Sequence, residues 1–213
     1  MPREISVKIY EFDELSDRAK ERAREWWRKG AFDDGLWDDA TIEDAKTCLA
    51  FAGFAIKEIL YTGFSSQGDG ACFTGTWMAE DTKDPRKMKS HAPQDTELHA
   101  VAAEMFAIKK LCRKAAATIT HTGRYYHKYS VDFEFDFPLA AGSDEARARA
   151  EALEDQLRER IKEAARRAMQ WIYDQLEKEY DYQNSDEQVD YVLRENEYEF
   201  TEDGERYVER RAS

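Results

Sequence analysis

Long apolar runs are missing from this chain. No stretch approaches the roughly 18 residues that a membrane-spanning helix needs. The first residues, Met1-Pro2-Arg3-Glu4, are polar, so neither a spanning segment nor a signal peptide is expected. Cysteine is scarce. Cys48, Cys72 and Cys112 are odd in number, far apart and without CxxC spacing, which argues against a secreted disulfide framework and against a zinc site. Three reduced, mostly buried thiols and no metal are expected. With only four Pro and ten Gly in 213 residues, no low-complexity linker forces two domains. Neither GxxxxGK[ST] nor a GxGxxG after a parallel strand occurs. No Ser/His/Asp or Cys/His arrangement is readable, and no cofactor is expected. Basic residues are outnumbered, 32 against 45 acidic, for a net charge of −13. Direct nucleic-acid binding by the surface as a whole is therefore not expected.

What is present begins with aromatics. Five Trp, 11 Tyr and 11 Phe argue for a packed core and against a disordered acidic chain. Charge is unevenly spread. Residues 174–205 hold 13 acidic side chains and two basic ones, Lys178 and Arg194, a net of −11. Residues 82–130 carry ten Lys/Arg against four Asp/Glu, a local +6, and hold all four histidines. The C-terminal acids are either a solvated face or a surface for a basic partner. On the second reading, Glu177, Glu179, Asp181, Asp186, Glu187 and Asp190 are the contact candidates.

Along the chain, Ile5, Val7 and Ile9 alternate and predict a strand over 4–10. Ser16 predicts a helix start and Gly30 its stop. A helix over about 41–52 ends at Gly53, and strands over 55–63 and 71–78 flank a turn. Residues 79–93, with Pro85 and Pro93, read as a loop that includes the basic run Arg86-Lys87-Met88-Lys89, and 95–112 as a helix. Strands follow at 115–122 and 125–137. In the second, Tyr125, His127, Tyr129, Val131, Phe133, Phe135 and Phe137 share one face, and polar residues the other. Ser143 caps an apolar stripe reaching about Tyr180. It predicts 38 residues, roughly 57 Å of helix, that must bend, break or extend past the sheet. A helix from Ser185 to about Asn196 and a turn or hairpin over 198–207 finish the chain. The expected fold is α+β: an antiparallel sheet of hairpins with helices on one face and a long C-terminal helix. Residues 1–142 are expected to form the α+β core, with 143–213 packed on the same domain.

Two segments carry candidate chemistry. Ser65, Ser66, Gln67 and Asp69, together with Gly68 and Gly70, form a loop able to turn N–H groups toward an anion, or a plain polar turn. The second is His121-Thr122-Gly123-Arg124-Tyr125-Tyr126-His127. A three-residue hairpin loop sets His121 opposite His127, with Cβ atoms about 4.5–5.5 Å apart. A two-residue loop sets Tyr126 there instead. Facing imidazoles beside Arg124 suit a phosphate or acid–base work; structural histidines are the bland alternative. Asp69 is the one third ligand available for a metal there. Trp26, Trp27, Trp77, Tyr125 and Tyr126 read as core rather than as a base-stacking platform.

Five stretches taken together resemble one group of proteins. They are 7–17 (Val-Lys-Ile-Tyr-Glu-Phe-Asp-Glu-Leu-Ser-Asp), 61–73 (Tyr-Thr-Gly-Phe-Ser-Ser-Gln-Gly-Asp-Gly-Ala-Cys-Phe), 117–127, 171–180 and 196–204. They resemble phage and prophage proteins labelled "antitoxin of toxin-antitoxin stability system". The resemblance spans most of the chain, apart from 79–93 and 146–168. It implies a protein of the bacterial host cytoplasm that neutralises a toxin or a host defence factor; the −11 segment adds the expectation that it does so by binding, with a basic protein as partner. The alternative expectation is a small anionic ligand, a nucleotide or phosphate ester, sequestered or hydrolysed at the 65–70 loop and the histidine hairpin.

Overall fold

Helix starts fall where a side-chain oxygen can take up a free N–H. Ser16 accepts from the Ala19 N–H at the head of α1 (Asp17–Trp26). Asp95 accepts from Leu98 at the head of α4 (Thr96–Leu111). Ser185 accepts from Gln188 at the head of α6 (Asp186–Glu195). Ser143 takes the Ala146 N–H at the start of α5 (Asp144–Gln183). This is a computed structural model, and it describes residues 6–31, 37–138 and 143–208. No helix among them is long and apolar enough to cross a membrane.

The fold is α+β. After α2 (Asp39–Phe51), strands β2 (Phe54–Tyr61), β3 (Ala71–Met78), β4 (Ala116–His121) and β5 (Val131–Asp136) form one antiparallel sheet in chain order. Its dry face carries Phe54, Phe73, Trp77, Ala117 and Ile119, all buried. Its wet face carries Thr76, Thr118, Asp132 and Glu134. Phe133, Phe135 and Phe137 stack in a row on the dry side. Arg158 and Lys162 of α5 lie over these rings, so the charged heads sit on aromatic faces while their stems cover apolar surface. The end of α2 is tied down because the Ala52 carbonyl accepts from Trp77 Nε1 (3.1 Å) and from the Thr82 hydroxyl (3.2 Å).

The stretch 79–93 is not a loop. It holds a 3-10 turn (Ala79–Asp81) and helix α3 (Pro85–His91). Asp84 caps α3, Pro85 occupies its first turn and Met88 is fully buried. Proline is tolerated there because that N–H has no intrahelical partner. α5 runs unbroken for 40 residues, about 60 Å.

The chain divides into two compact units, and not at residue 142. The sheet unit is Asp39–Glu177; the terminal unit combines Met1–Asp38 with Lys178–Ser213. In the terminal unit, β1 (Tyr10–Glu11) pairs antiparallel with β6 (Glu199–Phe200). Among the described residues of the strand expected over 4–10, only Tyr10 is in a strand, and its partner strand is only two residues long. Val7 and Ile9 are consequently exposed, and Ile5 lies outside the described residues. The core here is Phe12, Leu15, Ala19, Ala23, Val189, Leu193 and Phe200. Half-buried Trp26 meets Tyr198 and Phe200 edge-on. Gly30 does not stop the first helix; a π-type turn, Trp27–Ala31, continues through it. Gly204 has φ +84°, and a Cβ there would stand 2.1 Å from the Ala19 carbonyl oxygen, so this turn needs glycine.

Candidate functional site

Loop 62–70 is closed by its own acid. Asp69 Oδ2 accepts from the N–H groups of Ser65 (3.0 Å) and Ser66 (2.6 Å). At the neck, Thr62 N–H donates to the Gly70 carbonyl and Gly70 N–H to the Thr62 hydroxyl. The two N–H groups expected to receive an external anion are therefore filled by a carboxylate from within, which also engages Asp69 as a would-be metal ligand. Ser65, Ser66 and Gln67 are exposed.

The second candidate is also rebuilt. His121 pairs with Val131, and Thr122 N–H donates to Ser130 O. Residues 122–130 are thus a long connection, neither the two-residue nor the three-residue loop. The expected strand 125–137 begins only at Val131, and His121 and His127 do not face each other. Alternation of aromatic and polar residues simply continues past the last ladder hydrogen bond, so the pattern alone cannot mark the strand's end. His121 Nε2 lies 3.0 Å from Tyr125 O, and its ring packs on Tyr126. His127 Nδ1 accepts from Tyr129 N–H at 3.3 Å. Tyr125 is exposed rather than core, with Arg124 over its ring.

The two segments nevertheless meet. Gly70 lies against His127 so closely that a Cβ would stand 2.8 Å from His127 Cδ2. Both segments also fasten to one face of α5. Tyr173 donates its hydroxyl to Gly63 O (3.1 Å) and packs on Phe64. Gln170 accepts from Lys128 Nζ (3.0 Å), and Arg166 lies over the Tyr129 ring. Residues 166, 170 and 173 recur at helical spacing, which brings them to one side. Burial raises the Tyr173 hydroxyl above its ordinary pKa, with Glu177 and Asp69 adding to the effect. Burial likewise pushes the nearby Cys72 thiol up to about 11.

Beside this junction is a cleft of about 320 Å³ lined by Lys128, Tyr129, Arg166, Arg167, Gln170 and Asp174, among others. Arg167 is held by Glu97 (2.6 Å) and Asp174 accepts from Gln170. Arg166 Nε is buried and has no hydrogen-bond partner among the described residues. The apolar stripe of α5 gives no sign of Arg166 and Gln170, which lie off it. The spacing of Arg166, Gln170 and Tyr173 was the available signal.

Three acids of the acidic segment, Asp186, Asp190 and Asp203, are paired with arginines of the N-terminal part of the terminal unit. Arg24 grips Asp190 through two hydrogen bonds, 2.6 and 2.9 Å, with side chains only 18% and 15% exposed. That pairing keeps the Arg24 guanidinium firmly charged. Arg28 pairs with Asp186, Arg22 with Asp203 and Arg194 with Asp13. Glu179 accepts from Gln183. Glu177 belongs to the sheet unit and is half-buried. Of the six acids singled out above, Asp181 and Glu187 are the exposed ones without a hydrogen bond or ion pair described here. On α6, Glu187, Tyr191 and Glu195 follow at i, i+4, i+8 and are all exposed, opposite the buried Val189 and Leu193. Tyr182, 55% exposed, stands beside Asp181 and donates its hydroxyl to Gln188 Oε1.

One further group comes together that the sequence reading did not single out. Asp44 and Cys48 of α2 and His91 of α3 bring a carboxylate oxygen, a thiol and an imidazole nitrogen within 4.8 Å of one another. Burial beside Asp44 pushes the Cys48 thiol up to about 12.

Residues 37–186 match the family model described as "Domain of unknown function (DUF8835)", and the chain belongs to that family. The matched stretch contains the whole sheet unit and reaches the start of α6. No curated protein and no solved structure matches the chain.

Proposed function

We propose that this member of the DUF8835 family acts by binding a protein with a basic surface, through the acidic and aromatic face of its terminal unit. One observation carries the reading. The outer face of α6 presents Glu187, Tyr191 and Glu195 in one exposed line, with Asp181 and Tyr182 at the end of α5. Tyrosine is a favoured contact residue because it offers a large, stiff, amphipathic surface, and surrounding carboxylates steer and select a basic partner. The resemblance to antitoxin-labelled phage proteins supports the same reading, with a toxin or host defence factor as the partner neutralised. Wild type and the triple variant Glu187→Lys/Tyr191→Ala/Glu195→Lys are used as parallel baits in a bacterial host lysate, at low and high salt. A partner captured by wild type, released by salt and lost from the variant supports the reading, because exposed charges are screened beyond about 8 Å at physiological ionic strength. No specific partner, or one indifferent to both salt and the variant, overturns it.

A second reading is favoured by the buried, unpartnered Arg166 Nε in the cleft with Lys128. A guanidinium and an ammonium together suit a phosphate ester. Sequestration is favoured over hydrolysis, since His121 and His127 stand apart and each is engaged with the backbone. Thermal shift with inorganic phosphate and nucleoside phosphates tests it: a rise in Tm that Arg166→Gln removes is the expected result. No stabilisation by any of them removes this reading.

A further inference from the structure

We propose that Asp44, Cys48 and His91 form a three-ligand site for a zinc-class divalent cation. Asp44 and Cys48 stand four residues apart on α2, so their side chains share a helix face. His91, in the last turn of α3, reaches the same point, with its ring packed on Phe51 at 5.4 Å. His91 Nε2 is 3.4 Å from Asp44 Oδ1, and Cys48 Sγ is 3.8 Å from Asp44 Oδ2. Zinc bonds of about 2.0–2.3 Å at a tetrahedral angle put donor atoms about 3.3–3.7 Å apart. The two contacts to the Asp44 carboxylate are close to that spacing, and all three donors lie within 4.8 Å of one another.

The donor set selects the cation. One sulfur, one imidazole nitrogen and one carboxylate oxygen suit zinc and its transition-metal neighbours, and disfavour magnesium and calcium, which take oxygen ligands. Cys48 is buried while Asp44 and His91 are at the surface, so the donors run from the interior to solvent. Asp95 adds a second carboxylate whose charge is felt at the Cys48 thiol, which favours a cation in this corner. On binding, the metal–sulfur bond replaces the S–H bond and the thiol proton goes to solvent. The metal then clips α2 to α3 across 43–47 residues of chain, joining a long helix to a short one that has only seven residues.

The test titrates the full chain with Co²⁺ and follows its absorption, then competes with Zn²⁺. Wild type is expected to give the visible bands of tetrahedral cobalt together with a sulfur-to-cobalt charge-transfer band. Cys48→Ser is expected to lose the charge-transfer band, and Cys112→Ser to keep it. Since Cys48 is buried and its substitution disturbs packing, the exposed variants His91→Gln and Asp44→Asn provide the independent arm. Each is expected to weaken metal binding more than about tenfold, the lower bound seen even for groups one shell farther out. The proposal is overturned by a wild-type spectrum without the sulfur band, by persistence of that band in Cys48→Ser, or by unchanged affinity in either exposed variant.

Discussion

The sheet unit is one continuous stretch of chain, whereas the terminal unit is assembled from two stretches that lie far apart in sequence. The sheet unit has a broad apolar face, with Trp77, Phe73, Leu49, Met105 and Ile172 all fully buried. The terminal unit has a small core and supplements it with ion pairs. Arg22–Asp203, Arg24–Asp190, Arg28–Asp186 and Arg194–Asp13 each join its N-terminal part to its C-terminal part. The contrast explains the charge map. Three of the acids concentrated near the C-terminus are counter-ions of Arg22, Arg24 and Arg28, so part of the local −11 is offset in space. The exposed acids without an ion pair among the described residues include the stripe on α6, Asp181 at the end of α5, and Glu197, Glu199, Glu202 and Glu205.

The contrast can be broken most strongly at the small core. Phe200 is fully buried there, and Phe200→Ala is expected to cost about 3–5 kcal/mol. Hydrogen exchange should then show lost protection in α1 and α6 while β2–β5 keep theirs; equal loss in the sheet would show that the units unfold as one. Next in size is the Arg24–Asp190 clamp. Asp190→Ala leaves the Arg24 guanidinium only the more exposed Glu21 and Asp186 and is expected to cost about 1–3 kcal/mol in urea unfolding. The double variant with Arg24→Ala should cost less than the sum of the single changes, and strict additivity would deny the coupling.

A comparable effect sharpens the other side. Gly70→Ala places a Cβ against His127 and is expected to cost about 1–3 kcal/mol by overpacking. Shifted NMR resonances of His127 and Tyr126 would accompany it, and unshifted ones would mean that the loops do not touch. The smallest effect is acid sensitivity of the terminal unit. Hydrogen bonds from Arg28 hold Asp186 below the usual carboxylate range, and those from Thr201 and Arg22 do the same for Asp203. Both folded values are depressed, so this stabilisation is present above the ordinary value near 3.8. It fades as pH falls through the lowered values. Because both groups are exposed, the change in unfolding midpoint should be slight, and Arg28→Gln should reduce it further.

Much of the local structure was legible. Ser16, Ser143 and Ser185 mark helix starts because a short side-chain oxygen next to an apolar repeat does one thing well. The α5 stripe declared a single long helix. Asp84-Pro85 is a helix-start signal for α3, although Pro85 and Pro93 together favour a loop over 79–93. The candidate site was legible only in part. Loop 65–70 and segment 121–127 do adjoin, but through Gly70 and His127 rather than through paired histidines. Asp69 turned out to serve the loop itself. The face of α5 that receives both loops was hidden because its polar residues carry no motif.

By itself the sequence determined which residues repeat with helical or strand period, where caps fall and how charge is distributed along the chain, since each depends on neighbours a few positions away. Only the tertiary structure decided which arginine meets which carboxylate, that the histidines stand apart, and that Asp44 and Cys48 acquire His91. The contacts join residues tens to nearly two hundred positions apart, and the histidines are separated by the register of β4 on β5. Their geometry is set by how sheet and helices pack, which no local pattern encodes.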